Sequence, residues 1–219
     1  ASLARGAFMS EVLSKACVLV AAHPTGVDHH LRNALPEGTA IRAIIGGTLL
    51  AEMSAAEILA ACKGAEQIHF AGHADAVLRD QCTLAWVKNG APELIDVETL
   101  VRIMGHAHRI YLSGCKSLAL GEALVAGGVN AVVCFSTLAA DEPASILSTT
   151  YWKRIVAGDD DATAFQAGVT ATITATALDA AAGTYKPVYA FGDPETTPLG
   201  PDGEFSGVLP AGHAYAGSQ

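Results

Sequence analysis

Short apolar runs, each closed by a small or polar residue, set the rhythm of this chain. The first is Ala-Cys-Val-Leu-Val-Ala-Ala at residues 16–22. A brief run that is hydrophobic throughout, with no alternation, marks a strand covered on both faces of a parallel sheet. Similar runs predict strands at residues 40–45, 67–71, 110–112, 131–135 and 187–191. Helical signals lie between them. Ser54 with Glu57 makes a capping box that opens a helix reaching about Cys62, and Lys63-Gly64 ends it. Residues 97–104 form a second helix stopped by Gly105, and residues 118–126 a third stopped by Gly127-Gly128. Residues 141–156 form another, with Pro143 near its start, and Asp159-Asp-Asp161 opens an Ala-rich helix toward residue 182. Residues 170–176 alternate as a strand would, which competes with that last helix. Asn89-Gly90, between apolar segments at 83–87 and 94–96, predicts a small antiparallel hairpin. Strands alternating with helices specify a three-layer α/β sandwich around a mostly parallel central sheet. The chain reads as one domain over residues 1–219, with a Gly- and Pro-rich stretch at 196–219 as a loop-rich tail.

Composition narrows the functions open to it. With 51% hydrophobic and only 16% charged residues, 219 residues can bury a sizeable core, built mainly from Ala, Val, Leu and Ile because aromatics are only 6%. A net charge of -9 with scattered Lys and Arg argues against nucleic acid or an anionic membrane as a partner. No apolar stretch approaches the roughly 20 residues of a membrane span. The five cysteines are an odd number with no CxxC spacing, so a reduced, cytoplasmic setting is expected. Cys17 and Cys134 sit inside apolar runs, as core thiols do.

Two of the runs end on reactive side chains. Ile68-His-Phe-Ala-Gly-His-Ala74 presents His73, and Arg109-Ile-Tyr-Leu-Ser-Gly-Cys-Lys-Ser117 presents Cys115. Chemistry in open α/β sheets collects beyond the carboxyl ends of the strands, so neighbouring strands would bring this pair to one edge. An imidazole that accepts the thiol proton turns cysteine into a nucleophile. His69 is better placed for a structural hydrogen bond. His23, His29, His30, His106 and His108 fit no compact ligand set with Cys or acid partners, so neither metal nor cofactor is expected.

These motifs resemble a known family when taken in order. Ile68 to Ala74, Tyr111-Leu-Ser-Gly-Cys115, Gly121-Glu-Ala-Leu124, the run at 131–135 with Asp141 after it, and Phe191-Gly-Asp-Pro194 follow the order of a CHAT domain. That is the caspase-like peptidase domain often joined to tetratricopeptide repeats. The resemblance covers about residues 68–194. It implies the caspase–haemoglobinase fold and cysteine peptidase activity, with His73 as general base and Cys115 as nucleophile. It also implies an oxyanion hole from the backbone N–H groups of Ala74 and Cys115. Ala74 stands where the family often has glycine, so its φ must be negative.

The resemblance further implies a protein or peptide substrate, control by another domain or subunit, and a role in bacterial defence or signalling. Acids near the expected cleft, Asp28, Asp75, Asp141 and Glu142, favour a basic P1 residue, with Asp141 or Asp28 as its partner. Asp141 and Glu142 equally suit the first turn of a helix. Two other readings compete: a catalytically silent CHAT-like binding module, and a small-molecule cysteine hydrolase.

Overall fold

The computed structural model describes residues 15–21, 31–74, 76–89, 91–136, 141–176 and 187–189. Within them the central sheet has the strand order β10-β9-β8-β3-β1-β2. Its members are β1 (Ala16–Ala21), β2 (Thr48–Ala51), β3 (Gln67–Gly72), β8 (Arg109–Ser113), β9 (Ala131–Phe135) and β10 (Pro187–Tyr189). All neighbours pair in parallel except β10, which runs antiparallel to β9. Every residue of β1, β3 and β9 is buried, as expected of strands covered on both faces.

Among the described residues, six helices form the outer layers: α1 (Ala34–Ile45), α2 (Ala55–Cys62), α3 (Val97–Met104), α4 (Leu118–Ala126), α5 (Asp141–Ala157) and α6 (Asp161–Thr176). One face of the sheet, through Leu19, Ile68, Phe70, Ile110, Leu112 and Val132, packs on α2, α3 and α4. The other, through Val18, Val20, Ala71, Tyr111 and Val133, packs on α1, α5 and α6. The result is the expected three-layer sandwich.

Local signals account for most of these elements. The Ser54 hydroxyl accepts from the Glu57 N–H and the Glu57 carboxylate accepts from the Ser54 N–H, a complete capping box at α2. Asp96 caps α3 by accepting from the Thr99 N–H at 2.9 Å. Asn89, at φ 52°, follows β6 (Ala85–Lys88), which pairs antiparallel with β7 (Ala91–Leu94). Residues 170–176 continue α6 as helix, so the alternation there does not produce a strand.

Two features depart from the sequence reading. Residues 40–45 are not a strand but the second half of α1, whose buried positions Ala34, Glu37, Gly38, Ile41 and Ile45 follow helical spacing. Pro36 sits in the first turn of α1, where no intrahelical N–H bond is lost. The strand of this region is β2, and Gly46 and Gly47, at φ 72° and 77°, form the turn into it. A second hairpin, β4 (Ala76–Leu78) with β5 (Gln81–Thr83), was not anticipated. Its turn uses Arg79 and Asp80 at φ 52° and 61°, residue types that signal a hairpin less strongly than Asn-Gly. Residues 196–219 and Phe191-Gly-Asp-Pro194 lie outside the described residues.

Candidate active site

β3 and β8 are adjacent in the middle of the sheet, and their register ends at Ala71 opposite Ser113. Two residues further along each chain stand His73 and Cys115. In-register residues of parallel neighbours are separated by about 5 Å of backbone. Both line one open, shallow pocket with Leu31, Ala34 and Glu37 on one wall and Ala144 on the other. The pocket lies at the carboxyl edge of the sheet, on the side of α1 and α5.

Each side chain is held from behind. The His73 carbonyl accepts from the Ala85 N–H at 2.8 Å, fastening the end of β3 to β6. β6 is itself fixed by Trp86, which stacks edge-on against Phe70 with centroids 5.0 Å apart. Cys115 is carried by a tight turn between β8 and α4. Gly114 has no room for a side chain: a Cβ there would stand 2.7 Å from both the Gly72 carbonyl oxygen and Ala74 Cβ. That close approach brings the two strand ends together. Lys116 follows at φ 51°, a left-handed conformation that costs a non-glycine residue about 1 kcal/mol and reverses the chain into α4.

Ser117 holds the turn closed, a role the sequence reading missed although Ser117 stands in the motif. It is fully buried; its hydroxyl donates to the Gly114 carbonyl at 2.9 Å and accepts from the Phe135 N–H at 3.0 Å. Ser117 is also the N-cap of α4 but makes no capping bond, because its oxygen is committed elsewhere. Ser117→Ala is expected to lower stability by about 1–3 kcal/mol, since it removes two buried hydrogen bonds, to the Gly114 carbonyl and from the Phe135 N–H. It should also slow Cys115 chemistry, by up to about 100-fold if the nucleophile shifts by an ångström. Thermal unfolding and the rate of Cys115 alkylation measure the two effects.

Cys115 is half-buried, whereas Cys17, Cys62 and Cys134 are wholly buried. Burial pushes the Cys134 thiol up to about 12. Ala74 is buried in the same apolar cluster as Phe70 and Leu112, and its φ is not positive, so alanine stands there without backbone strain. His69 does form a structural bond: its Nδ1 accepts from the Trp152 indole N–H at 3.1 Å.

Of the expected specificity acids, Glu142 alone has a described side chain. Asp28 and Asp75 lie outside the described residues, as do His23, His29 and His30, and nothing is described of the Asp141 side chain. Glu142 is exposed in the first turn of α5. Among the described residues the acid that lines the pocket is Glu37, only 2% exposed and in no sequence motif. Among the described residues no three His, Cys, Asp or Glu gather as a metal site, and no helix is long and apolar enough to cross a membrane.

No protein-family model matches the chain, and no curated protein matches it by sequence. A solved structure does match in three dimensions: the Arg-specific cysteine proteinase gingipain R. The TM-score is 0.53 at 10% identity, over 78% of this chain and 44% of that one, so the chain spans less than half of its neighbour. What the two share is the fold, a caspase–haemoglobinase-like α/β sandwich with a mostly parallel sheet.

Proposed function

We propose that the protein is a caspase-like cysteine peptidase that cleaves a protein partner through a His73–Cys115 dyad. The observation that carries this reading is that His73 and Cys115, beyond the ends of adjacent parallel strands, line the same open pocket. In the reaction, His73 takes the Cys115 thiol proton and the thiolate adds to the scissile carbonyl carbon. The Ala74 and Cys115 N–H groups receive the resulting oxyanion. The imidazolium then passes its proton to the departing amine, leaving a thioester on Cys115. A water molecule, deprotonated by His73, attacks the thioester; its collapse releases the acid and returns the thiol.

Cleavage after a basic P1 residue is part of the proposal. The chain carries a net charge of -9 and offers the acids Asp28, Asp75, Asp141 and Glu142 in the segments around the strand ends. The structural neighbour is itself named for arginine specificity. Control by a further domain or subunit, in a bacterial defence or signalling pathway, rests on the resemblance to CHAT domains.

The test is covalent. A peptidyl acyloxymethyl ketone, whose methylene carbon beside the ketone alkylates an activated thiolate as its carboxylate leaves, should label Cys115 ahead of Cys17, Cys62 and Cys134. His73→Ala should slow that labelling by about 10²–10⁴-fold, the usual contribution of a general base. Peptide mapping by mass spectrometry reads the site. Label spread over several cysteines, or indifferent to His73, would remove the dyad.

A further inference from the structure

We infer that Glu37 of α1 is the acid that reads a cationic P1 side chain in the pocket of His73 and Cys115. The inference rests on the peptidase reading above and replaces Asp28 and Asp141 as the partner of that side chain.

Glu37 interrupts an otherwise apolar buried stripe formed by Ala34, Gly38, Ile41 and Ile45. Gly38 lets α1 lie hard against β1, since a Cβ there would stand 2.3 Å from Val20 Cγ2. The close approach drives Glu37 beneath the strand ends, where it lines the pocket. A carboxylate this deep needs compensation, because an isolated buried charge costs several kcal/mol.

The protein supplies only part of that compensation. Glu37 Oε1 accepts from the Ser148 hydroxyl at 2.7 Å. His69 Nε2 stands 3.1 Å from the same oxygen. That approach is a close contact without hydrogen-bond alignment, so Nε2 has no well-directed acceptor. Nor does His69 bring a charge. The Trp152 indole can only donate, so the Nδ1 it bonds must be a lone pair. The single ring proton therefore sits on Nε2, and the imidazole is neutral. Both contacts fall on Oε1, and among the described residues no lysine or arginine pairs with Glu37.

A hydroxyl and a neutral imidazole bring Glu37 no countercharge, and both fall on Oε1 rather than Oε2. A guanidinium or ammonium entering beside Cys115 completes the pair. An acidic P1 residue would meet repulsion, and an aliphatic one would leave the carboxylate desolvated and unpaired.

The experiment compares two fluorogenic peptides that differ only in P1 arginine or citrulline, which keeps the shape and removes the charge. The wild-type protein should favour arginine by at least about 100-fold in kcat/KM, in keeping with loss of a buried charge partner. Glu37→Gln retains an acceptor for Ser148 and His69, so a merely structural Glu37 predicts an unchanged ratio. The inference predicts that the ratio falls to within about threefold of one, on the same scale of effect. A preserved ratio in Glu37→Gln overturns it, as does wild-type preference for citrulline, leucine or aspartate at P1. If Glu37→Gln fails to fold, Asp28→Asn and Asp141→Asn decide: arginine preference surviving in both supports Glu37, and its collapse in either overturns the inference. No cleavage of any peptide together with no label on Cys115 would instead remove the peptidase reading itself.

Discussion

Cys115→Ala is expected to reduce peptide turnover by on the order of 10⁴-fold or more, because in the proposed mechanism it removes the only atom that forms the acyl intermediate. His73→Ala should cost about 10²–10⁴-fold, the usual share of a general base. The double variant should be no slower than Cys115→Ala alone. Groups that act in one step are non-additive, since a base without a nucleophile has nothing to activate. Both side chains are half-buried at strand ends, outside the two packed faces of the sheet, so each variant should unfold near the wild-type temperature. Turnover on a peptide substrate, with calorimetry on the same samples, checks both statements. Additive losses, or activity persisting in Cys115→Ala, would mean that two independent groups had been mistaken for one unit. Cys134→Ala is the internal control, for Cys134 is wholly buried on β9 with its thiol held at about 12.

The parts of this architecture that could be read in advance are those where one signal has one meaning. Ser54 with Glu57 and the glycines that stop α3 and α4 each mark a helix end by a local bond or conformation. Asp96, which caps α3 through Thr99, reads in the sequence only as the end of an apolar segment. The buried runs of β1, β3, β8 and β9 have no amphipathic alternative, which made the parallel sheet legible. Residues 40–45 illustrate the opposite case. Ala-Ile-Arg-Ala-Ile-Ile satisfies a short strand as well as half a helix, and periodicity cannot arbitrate over six residues. The rest of that helical face is Ala34, Glu37 and Gly38, a stripe disguised by a charge and a glycine. The misreading of α1 therefore also hid Glu37: a carboxylate among buried positions is invisible to hydropathy and shows only once Ser148, from a distant helix, is brought beside it. Ser117 was hidden for a related reason, because its value lies in Phe135, eighteen residues away on the next strand.

Asp161→Ala should be the most damaging single change to stability that leaves the chemistry alone. Asp161 opens α6, and its Oδ1 accepts from Arg109 Nε and from the Tyr151 hydroxyl, each at 2.5 Å. Its side chain is 12% exposed and that of Arg109 26%, so solvent screens the pair poorly. Burial, reinforced by the carboxylate beside it, pushes the Tyr151 phenol well above its ordinary value, which keeps it protonated and donating. Removing the carboxylate strands a guanidinium and a phenol with no acceptor between α5, α6 and the sheet. Breaking a buried pair from one side costs about 3–5 kcal/mol. For a chain of this size that is a fall of roughly 6–20 °C in unfolding temperature. Arg109→Met combined with Asp161→Ala should regain part of the loss, because it deletes the stranded charge as well as its partner. Arg109 begins β8, six residues before Cys115, or about 20 Å along an extended chain. Peptidase activity and Cys115 labelling, measured well below the unfolding temperature, should therefore match wild type. A fall of less than about 2 °C would show the network to be nearly neutral, whereas equal loss of activity and stability would show that the two ends of β8 are coupled.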